Sequence, residues 1–244
     1  MWRHYYLIVR NILILPGIIG KMRRLAADTG CPEEERYEYL KYVVDTMQRT
    51  GHIQTEAFGI ENLPTEGGYI MYPNHQGKYD AYGIVSVHEK PCTVVMDIAK
   101  SNTIFIKEII DMVKGKRLDK EDVKQAFTII NEIAEEVKQG RRYIIFPEGE
   151  YDNQKKNTLI DFKAGCFKAT IKSQTPIVPV VLIDSYKAMN SFSVGKVTTQ
   201  VHFLEPILYE EYKDMKTKQI AELVRERIQK KLDEVICIER ERNG

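Results

Sequence analysis

From His52 onward, apolar runs of strand length alternate with stretches of helical periodicity, and this alternation restricts the chain more than any other feature it carries. "HIQTEAFGIENLP", "GGYIMYP", "PCTVVMDIA", "RRYIIFPEG", "TPIVPVVLI" and "KVTTQVHFLEPI" each read as a strand bounded by turn residues. Between and after them lie helices. Over 119–140, Val123, Ala126, Phe127, Ile130, Ile133, Ala134 and Val137 fall at three- and four-residue steps, and Gly140 stands at the C-terminal stop. A final helix over 217–235 is expected to bury Ile220, Leu223, Val224, Ile228 and Val235, leaving a mixed Lys/Arg/Glu face to solvent. Strands alternating with helices specify an α/β domain, here one mixed sheet with helices on its faces over 52–244. At 244 residues, 43% hydrophobic and 29% charged, the chain suffices for one such domain and an appendage. The two prolines of "PIVPV" are expected at a sheet edge or a strand end, where ladder donors are not needed.

The appendage is residues 1–51. "MWRHYYLIVRNILILPGIIGKMRR" is dense in Leu, Ile and Val, but Arg10 and Asn11 interrupt it and Pro16 breaks it. Its charge-free stretches fall well short of the roughly 20 apolar residues of a spanning helix, and no small-residue cleavage site follows. On a helical wheel Arg3, His4, Arg10, Asn11, Gly17 and Lys21 form a polar stripe opposite an aliphatic face, the pattern of a helix lying in the membrane interface. Trp2, Tyr5 and Tyr6 suit the headgroup level, and Lys21, Arg23 and Arg24 suit an anionic surface. A core helix packed on the body is the alternative. A second helix, "CPEEERYEYLKYVVDTMQRTG", has Pro32 near its start, acids in its first turn and Gly51 beyond its end, completing an N-terminal two-helix membrane-interface hairpin.

A formal net charge of +1 exerts no global pull toward nucleic acid, so attraction to an anionic surface must come from local clusters. Cys31, Cys92, Cys166 and Cys237 are widely spaced, without Cys-x-x-Cys or zinc spacing, and read as reduced thiols of a cytoplasmic protein.

Two short stretches carry candidate chemistry. In "YPNHQGKYDAYG", His75 and Asp80 point about 140° apart on a continuous helix, so they meet only if the chain bends between them, as Gly77 permits. The pair sits between a strand and a helix, with Asp80 placed to cap that helix. Such loops, at the carboxyl ends of strands in an open α/β sheet, are where ligands bind. Taken alone, the pair reads as a turn histidine and an ordinary cap. In "IIFPEGEY", Glu148 stands where an apolar run ends and Gly149 leaves room for a ligand; alone, it reads as a turn glutamate. "DFKAGCFKA" sets Lys163 and Lys168 beside Gly165, suitable for phosphate at a cleft edge.

In this order these stretches resemble the glycerolipid acyltransferase superfamily, typified by bacterial 1-acylglycerol-3-phosphate acyltransferases. Asn74, His75 and Asp80 are similar to its Asn-His-x-x-x-x-Asp motif, "FPEG" over 146–149 to its third block, "FKAG" over 162–165 to the stretch that follows, and "PIVPV" over 176–180 to its fourth. The resemblance spans about Gly59 to Val181, and the N-terminal hairpin has a counterpart in bacterial members. Two departures stand out. The Thr-Arg or Ser-Arg that usually follows Phe-Pro-Glu-Gly is Glu150 and Tyr151 here. The usual basic residue of the second block is matched by Lys120 in "RLDKED", with Arg117 close by.

The resemblance implies an enzyme that moves a fatty acyl group from an acyl thioester to the hydroxyl of a lysophospholipid, foremost 1-acylglycerol 3-phosphate, to give phosphatidate. His75 and Asp80 are then catalytic, and Asn74, Glu148, Gly149, Lys120, Arg117, Lys163 and Gly165 bind substrate. No metal or cofactor is expected beyond the thioester of coenzyme A or acyl carrier protein. The implied partners are that donor, the lysolipid and a membrane surface met by residues 1–24, at the cytoplasmic face of the cell membrane as a peripheral or monotopic protein; nucleic acid is not expected. Another lysolipid or glycerol 3-phosphate as acceptor, a thioester hydrolase, and a non-catalytic membrane-binding module are the alternatives.

Overall fold

The structure, a computed structural model, describes residues 2–151, 156–190 and 192–243. Its elements run α1 (Trp2–Asn11), α2 (Leu15–Ala27), α3 (Glu33–Gly51), β1 (Ile53–Phe58), β2 (Tyr69–Pro73), α4 (Asp80–Val87), β3 (Thr93–Asp97), α5 (Ile98–Ser101), α6 (Ile106–Met112), β4 (Lys116–Leu118), α7 (Val123–Lys138), β5 (Arg142–Ile144), α8 (Lys168–Ser173), β6 (Ile177–Ile183), α9 (Ser185–Asn190), β7 (Val197–Phe203), α10 (Tyr209–Tyr212) and α11 (Thr217–Asn243). The seven strands form one mixed sheet in the order β1-β7-β6-β2-β5-β3-β4. Strands β6, β2, β5, β3 and β4 are mutually parallel, and β7 runs antiparallel to β6 and parallel to β1.

Every residue of β2 and β6 is buried, as strands covered on both faces require. Alternate residues serve different cores. Tyr69, Met71, Val178, Val180 and Leu182 pack beneath α2, α3, α4 and α6, whereas Ile70, Tyr72, Val181 and Ile183 pack against α7, α8 and α11. In α11, Ile220, Val224, Ile228 and Leu232 are fully buried at the helical spacing read from the sequence, with Leu223 at the margin. In α7 the buried stripe is Ile133, Ala134 and Val137; Val123 and Phe127, placed by their spacing on the same face, are exposed.

Several expectations change. The proline-bearing strand is interior, between β7 and β2. Pro179 is tolerated there because its missing donor faces the place where β7 has just ended: Leu204, one residue past the strand, donates to Pro179 O at 3.0 Å. The strand β4, which is three residues long and flanked by charge, carries no apolar run to betray it. The division at residue 51 has no counterpart in the packing, since Ile18, Met22 and Leu25 of α2 and Tyr37, Leu40, Val43 and Val44 of α3 belong to the same core as β2 and β6.

The two-helix hairpin is in fact three helices. Pro16, at the start of α2, helps set a break between α1 and α2, which bend 86° apart. No single helix among those described is long and apolar enough to cross a membrane. Of the polar stripe of α1, Arg3 and Asn11 face inward, while Arg10 is exposed. Arg3 is buried, its guanidinium donating to Gly51 O, to His52 O at 3.4 Å and to Ser193 O at 2.7 Å. It thereby caps the carbonyl end of α3, where a cation suits the helix dipole. Asn11 is buried too, donating to Leu7 O and Thr50 Oγ1, both at 2.8 Å. Gly51, expected beyond the end of α3, is its last residue, and a side chain there would meet Leu7 Cδ2 at 2.6 Å. His52 takes the left-handed cap instead, with φ of 51°. The apolar side of the elbow is left bare: Val9 is 66% exposed and Leu13 92%. The side chain of Trp2 lies outside those described.

Candidate active site

The carboxyl ends of the five parallel strands bring the candidate residues to one rim of the sheet: His75 follows β2, Asp97 closes β3, Lys120 follows β4, Glu148 follows β5 and Ser185 follows β6. This is the ligand-binding edge of an open α/β sheet.

The chain does bend between His75 and Asp80. His75 Nδ1 donates to Asp80 Oδ2 at 2.7 Å, with Asp80 fully buried and the imidazole 17% exposed. A carboxylate only accepts, so the Nδ1–H tautomer is fixed and Nε2 keeps its lone pair. Asp80 does not cap α4. It is the first helical residue, and its Oδ2 turns back to accept the loop amides of Gln76 at 2.5 Å and Gly77 at 3.0 Å. Its Oδ1 accepts the Ser185 hydroxyl at 2.5 Å. Ser185 Oγ also lies 3.0 Å from Gln76 Oε1, but it has one proton and the shorter contact takes it; Gln76 Oε1 already receives Ser185 N at 3.0 Å. Gln76 Nε2 donates to Leu182 O at 2.8 Å and to Asn157 Oδ1 at 2.7 Å. The loop is thus tied to the end of β6 and the start of α9.

Phe146 stacks on the His75 ring at 4.1 Å between centroids, and Tyr151 meets it edge-on at 4.7 Å. The imidazole therefore sits in an apolar slot.

The other candidates are placed differently from their expected roles. Asn74 is buried and its amide is spent on protein, donating to Leu182 O at 3.0 Å and accepting Leu182 N at 2.7 Å. It continues the β2–β6 ladder past Pro73 and presents nothing to a substrate. Glu148 is buried, and its Oε1 accepts the backbone N–H of His75 at 3.0 Å. It holds the histidine's own main chain, a role nearer to positioning than to acceptor contact. Gly149 adopts φ of 72°, and an added Cβ would lie 2.8 Å from Lys163 Nζ, so the Lys163 side chain lies directly over this turn. Lys163 N donates to Pro147 O at 2.8 Å, joining the two glycine-bearing stretches. Gly165 is exposed in a 3₁₀ turn over Ala164–Phe167 and faces open space.

Lys120 reaches this turn, with Nζ 3.2 Å from Gly149 O. Arg117 does not. Its guanidinium pairs with Asp111 at 2.7 Å and reaches Ser101 Oγ and Lys107 O, lining a separate groove of about 620 Å³ between α2 and α6 with Arg23, Lys107 and Lys114. The alternation of side chains along β4 and the loop after it parts Arg117 from Lys120. Sequence reading missed Ser185, Gln76, Phe146, Tyr151 and Asp97. Ser185 and Asp97 carry one usable signal, since each stands at the carboxyl end of an apolar strand.

A protein-family model described as Acyltransferase matches residues 54–183. The chain is 27% identical over 188 residues to the 1-acyl-sn-glycerol-3-phosphate acyltransferase of Saccharomyces cerevisiae, an alignment covering 75% of this chain and 61% of that one. It is 29% identical over 172 residues to the protein of the same name from Haemophilus influenzae, covering 68% and 69%. The chain thus spans less than two thirds of the yeast relative's length. The crystal structure of the 1-acyl-sn-glycerophosphate (LPA) acyltransferase PlsC from Thermotoga maritima superimposes with a TM-score of 0.74 over 96% of both chains at 17% identity, a likeness of fold.

Proposed function

The chain belongs to the acyltransferase family, and from that premise we propose that it transfers a fatty acyl group from an acyl thioester to the free hydroxyl of 1-acylglycerol 3-phosphate, giving phosphatidate. The observation that carries the reading is the 2.7 Å contact between His75 Nδ1 and Asp80 Oδ2, which leaves Nε2 as the one basic nitrogen in an apolar slot. Nε2 takes the proton of the acceptor hydroxyl as its oxygen attacks the thioester carbonyl. Asp80 holds the tautomer and stabilises the imidazolium that forms. The thiolate leaves and the imidazolium returns a proton to it, so no covalent acyl-enzyme is needed. Glu148 fixes the backbone of His75, while Lys120 and Lys163 flank the turn where the acceptor phosphate binds.

The acceptor and product are lipids, and the N-terminal helices suit a lipid surface. The bare elbow of Ile12, Leu13 and Ile14 lies between exposed Arg10 and exposed Lys21, Arg23 and Arg24. Leu7 of α1 packs with Tyr79 of the catalytic loop. Burial, and then the nearby Lys78 ammonium, push His4 of α1 below its ordinary value. Helix α1, which leads into the bare elbow, is therefore adjacent to the histidine loop. The setting we assign is the cytoplasmic face of the cell membrane, with coenzyme A or acyl carrier protein as the thiol carrier.

The test is thiol release from an acyl thioester with and without lysolipid. Release that requires 1-acylglycerol 3-phosphate, with phosphatidate as product, is the expected result. Release without acceptor would identify a hydrolase, and no release would leave a membrane-binding module.

A further inference from the structure

Beside the imidazole, three ammonium groups surround the turn 149–151. Lys163 lies over Gly149, Lys100 lies 5.7 Å from the centre of the Tyr151 ring, and Lys120 donates to Gly149 O. Two carboxylates share Lys120, with Asp97 Oδ2 and Glu150 Oε1 each 3.2 Å from Nζ. Burial works against the charge on Lys120, yet Asp97 and Glu150 carry it above its ordinary value.

The two carboxylates differ in freedom. Asp97 is held by its fold: its Oδ1 caps α5, accepting from Ala99 N at 3.0 Å and Lys100 N at 3.4 Å. Glu150 is 65% exposed, and among the described residues its carboxylate pairs with Lys120. Lys120, with Lys100 and Lys163 farther out, holds that carboxyl below the usual carboxylate range. A small anion on an exposed side chain thus pairs with one of the three ammonium groups around this turn.

We propose that Glu150 is an internal stand-in for the acceptor's phosphate, occupying Lys120 in the free protein and swinging into solvent when a phosphate monoester takes its place. This rests on the acceptor reading above. An exposed Lys–Glu pair is held weakly, whereas a phosphate monoester brings two charges and several acceptor oxygens to three ammonium groups. Displacement is then favourable, but it lowers the affinity for every phosphate-bearing ligand and leaves neutral lipids unaffected. Glu150 thereby sets how much acceptor phosphate is required to open the site.

The experiment compares wild type with Glu150→Gln, an isosteric change at an exposed position. For 1-acylglycerol 3-phosphate, KM is expected to fall by up to roughly fivefold relative to KM for monoacylglycerol, the most an exposed pair of this kind accounts for. The inhibition constant of inorganic phosphate should fall in parallel, and both differences should shrink at high salt. If wild type uses 1-acylglycerol 3-phosphate but the variant leaves KM and the phosphate inhibition constant unchanged, or raises them, the stand-in is wrong and acyl transfer to that acceptor stands. If wild type transfers only to lysolipids without a phosphate monoester, the acceptor reading fails and takes this one with it.

Discussion

At the scale of single residues, the chemistry depends on how few conformations His75 has. Its ring is held by Asp80, Phe146 and Tyr151, and its backbone by Glu148. His75→Ala should lower kcat by about 10²- to 10⁴-fold, the usual worth of general-base assistance, while the melting temperature stays near that of wild type. Near-normal acceptor-dependent thiol release by that variant would refute the mechanism. Ser185→Ala tests a subtler point. Ser185 touches Asp80, not the acceptor, so its loss should reduce kcat by roughly tenfold or less through a misplaced imidazole and leave KM for the lysolipid unchanged. A change confined to KM would place Ser185 in the binding site instead.

At the scale of elements, α1 is amphipathic in an unusual sense for a body-packed helix: Arg3 and Asn11 are buried beside Leu7, while Ile8 and Val9 are exposed. The two faces should respond to different measurements. Arg3→Met removes the cap of α3 and should lower urea stability by roughly 1–3 kcal/mol, because the carbonyls of Gly51 and His52 lose their buried donor. Leu13→Glu should leave stability unchanged and lower partitioning onto anionic vesicles about tenfold or more, since the lost side chain contributes nothing inside the fold but on the order of 1.5–3 kcal/mol on burial in lipid. Vesicle binding equal to wild type would remove the elbow from the membrane contact.

At the scale of the whole molecule, two core histidines make the fold sensitive to acid. His88 is buried beneath α3, its Nε2 2.7 Å from the Tyr69 hydroxyl and its Nδ1 2.6 Å from Lys90 O, and burial pushes it down to about 4 from 6.5. His202, stacked on Phe58, is likewise pushed down to about 4 by burial. Below pH 6.5 the unfolded chain binds protons that the folded chain refuses until about pH 4, so stability is full at neutral pH and is lost as pH falls through that window. Each histidine contributes at most roughly 3 kcal/mol to the loss. Urea unfolding at pH 7, 5.5 and 4.5 should show the decline; a flat profile would mean that neither histidine is held neutral.

The sequence by itself determined the elements and the chemical inventory. Strand and helix periods are local, so β2, β5, β6, β7, α7 and α11 could be read from their own residues, as could the histidine, aspartate and glutamate that end up at the rim. Even there β4 was illegible, because three residues flanked by charge carry no period. Tertiary structure decided what could not be local. Asp80 receives its fourth donor from Ser185, 105 positions away. Pro179 is tolerated inside the sheet only because β7 stops beside it. Arg117 and Lys120, three residues apart, go to different places, the groove between α2 and α6 and the turn at Gly149. An amphipathic helix has two faces, and its own sequence does not say which one a neighbour will cover. For α1 the bare carbonyls at the end of α3 took Arg3 inward beside Leu7 and left Ile8 and Val9 exposed.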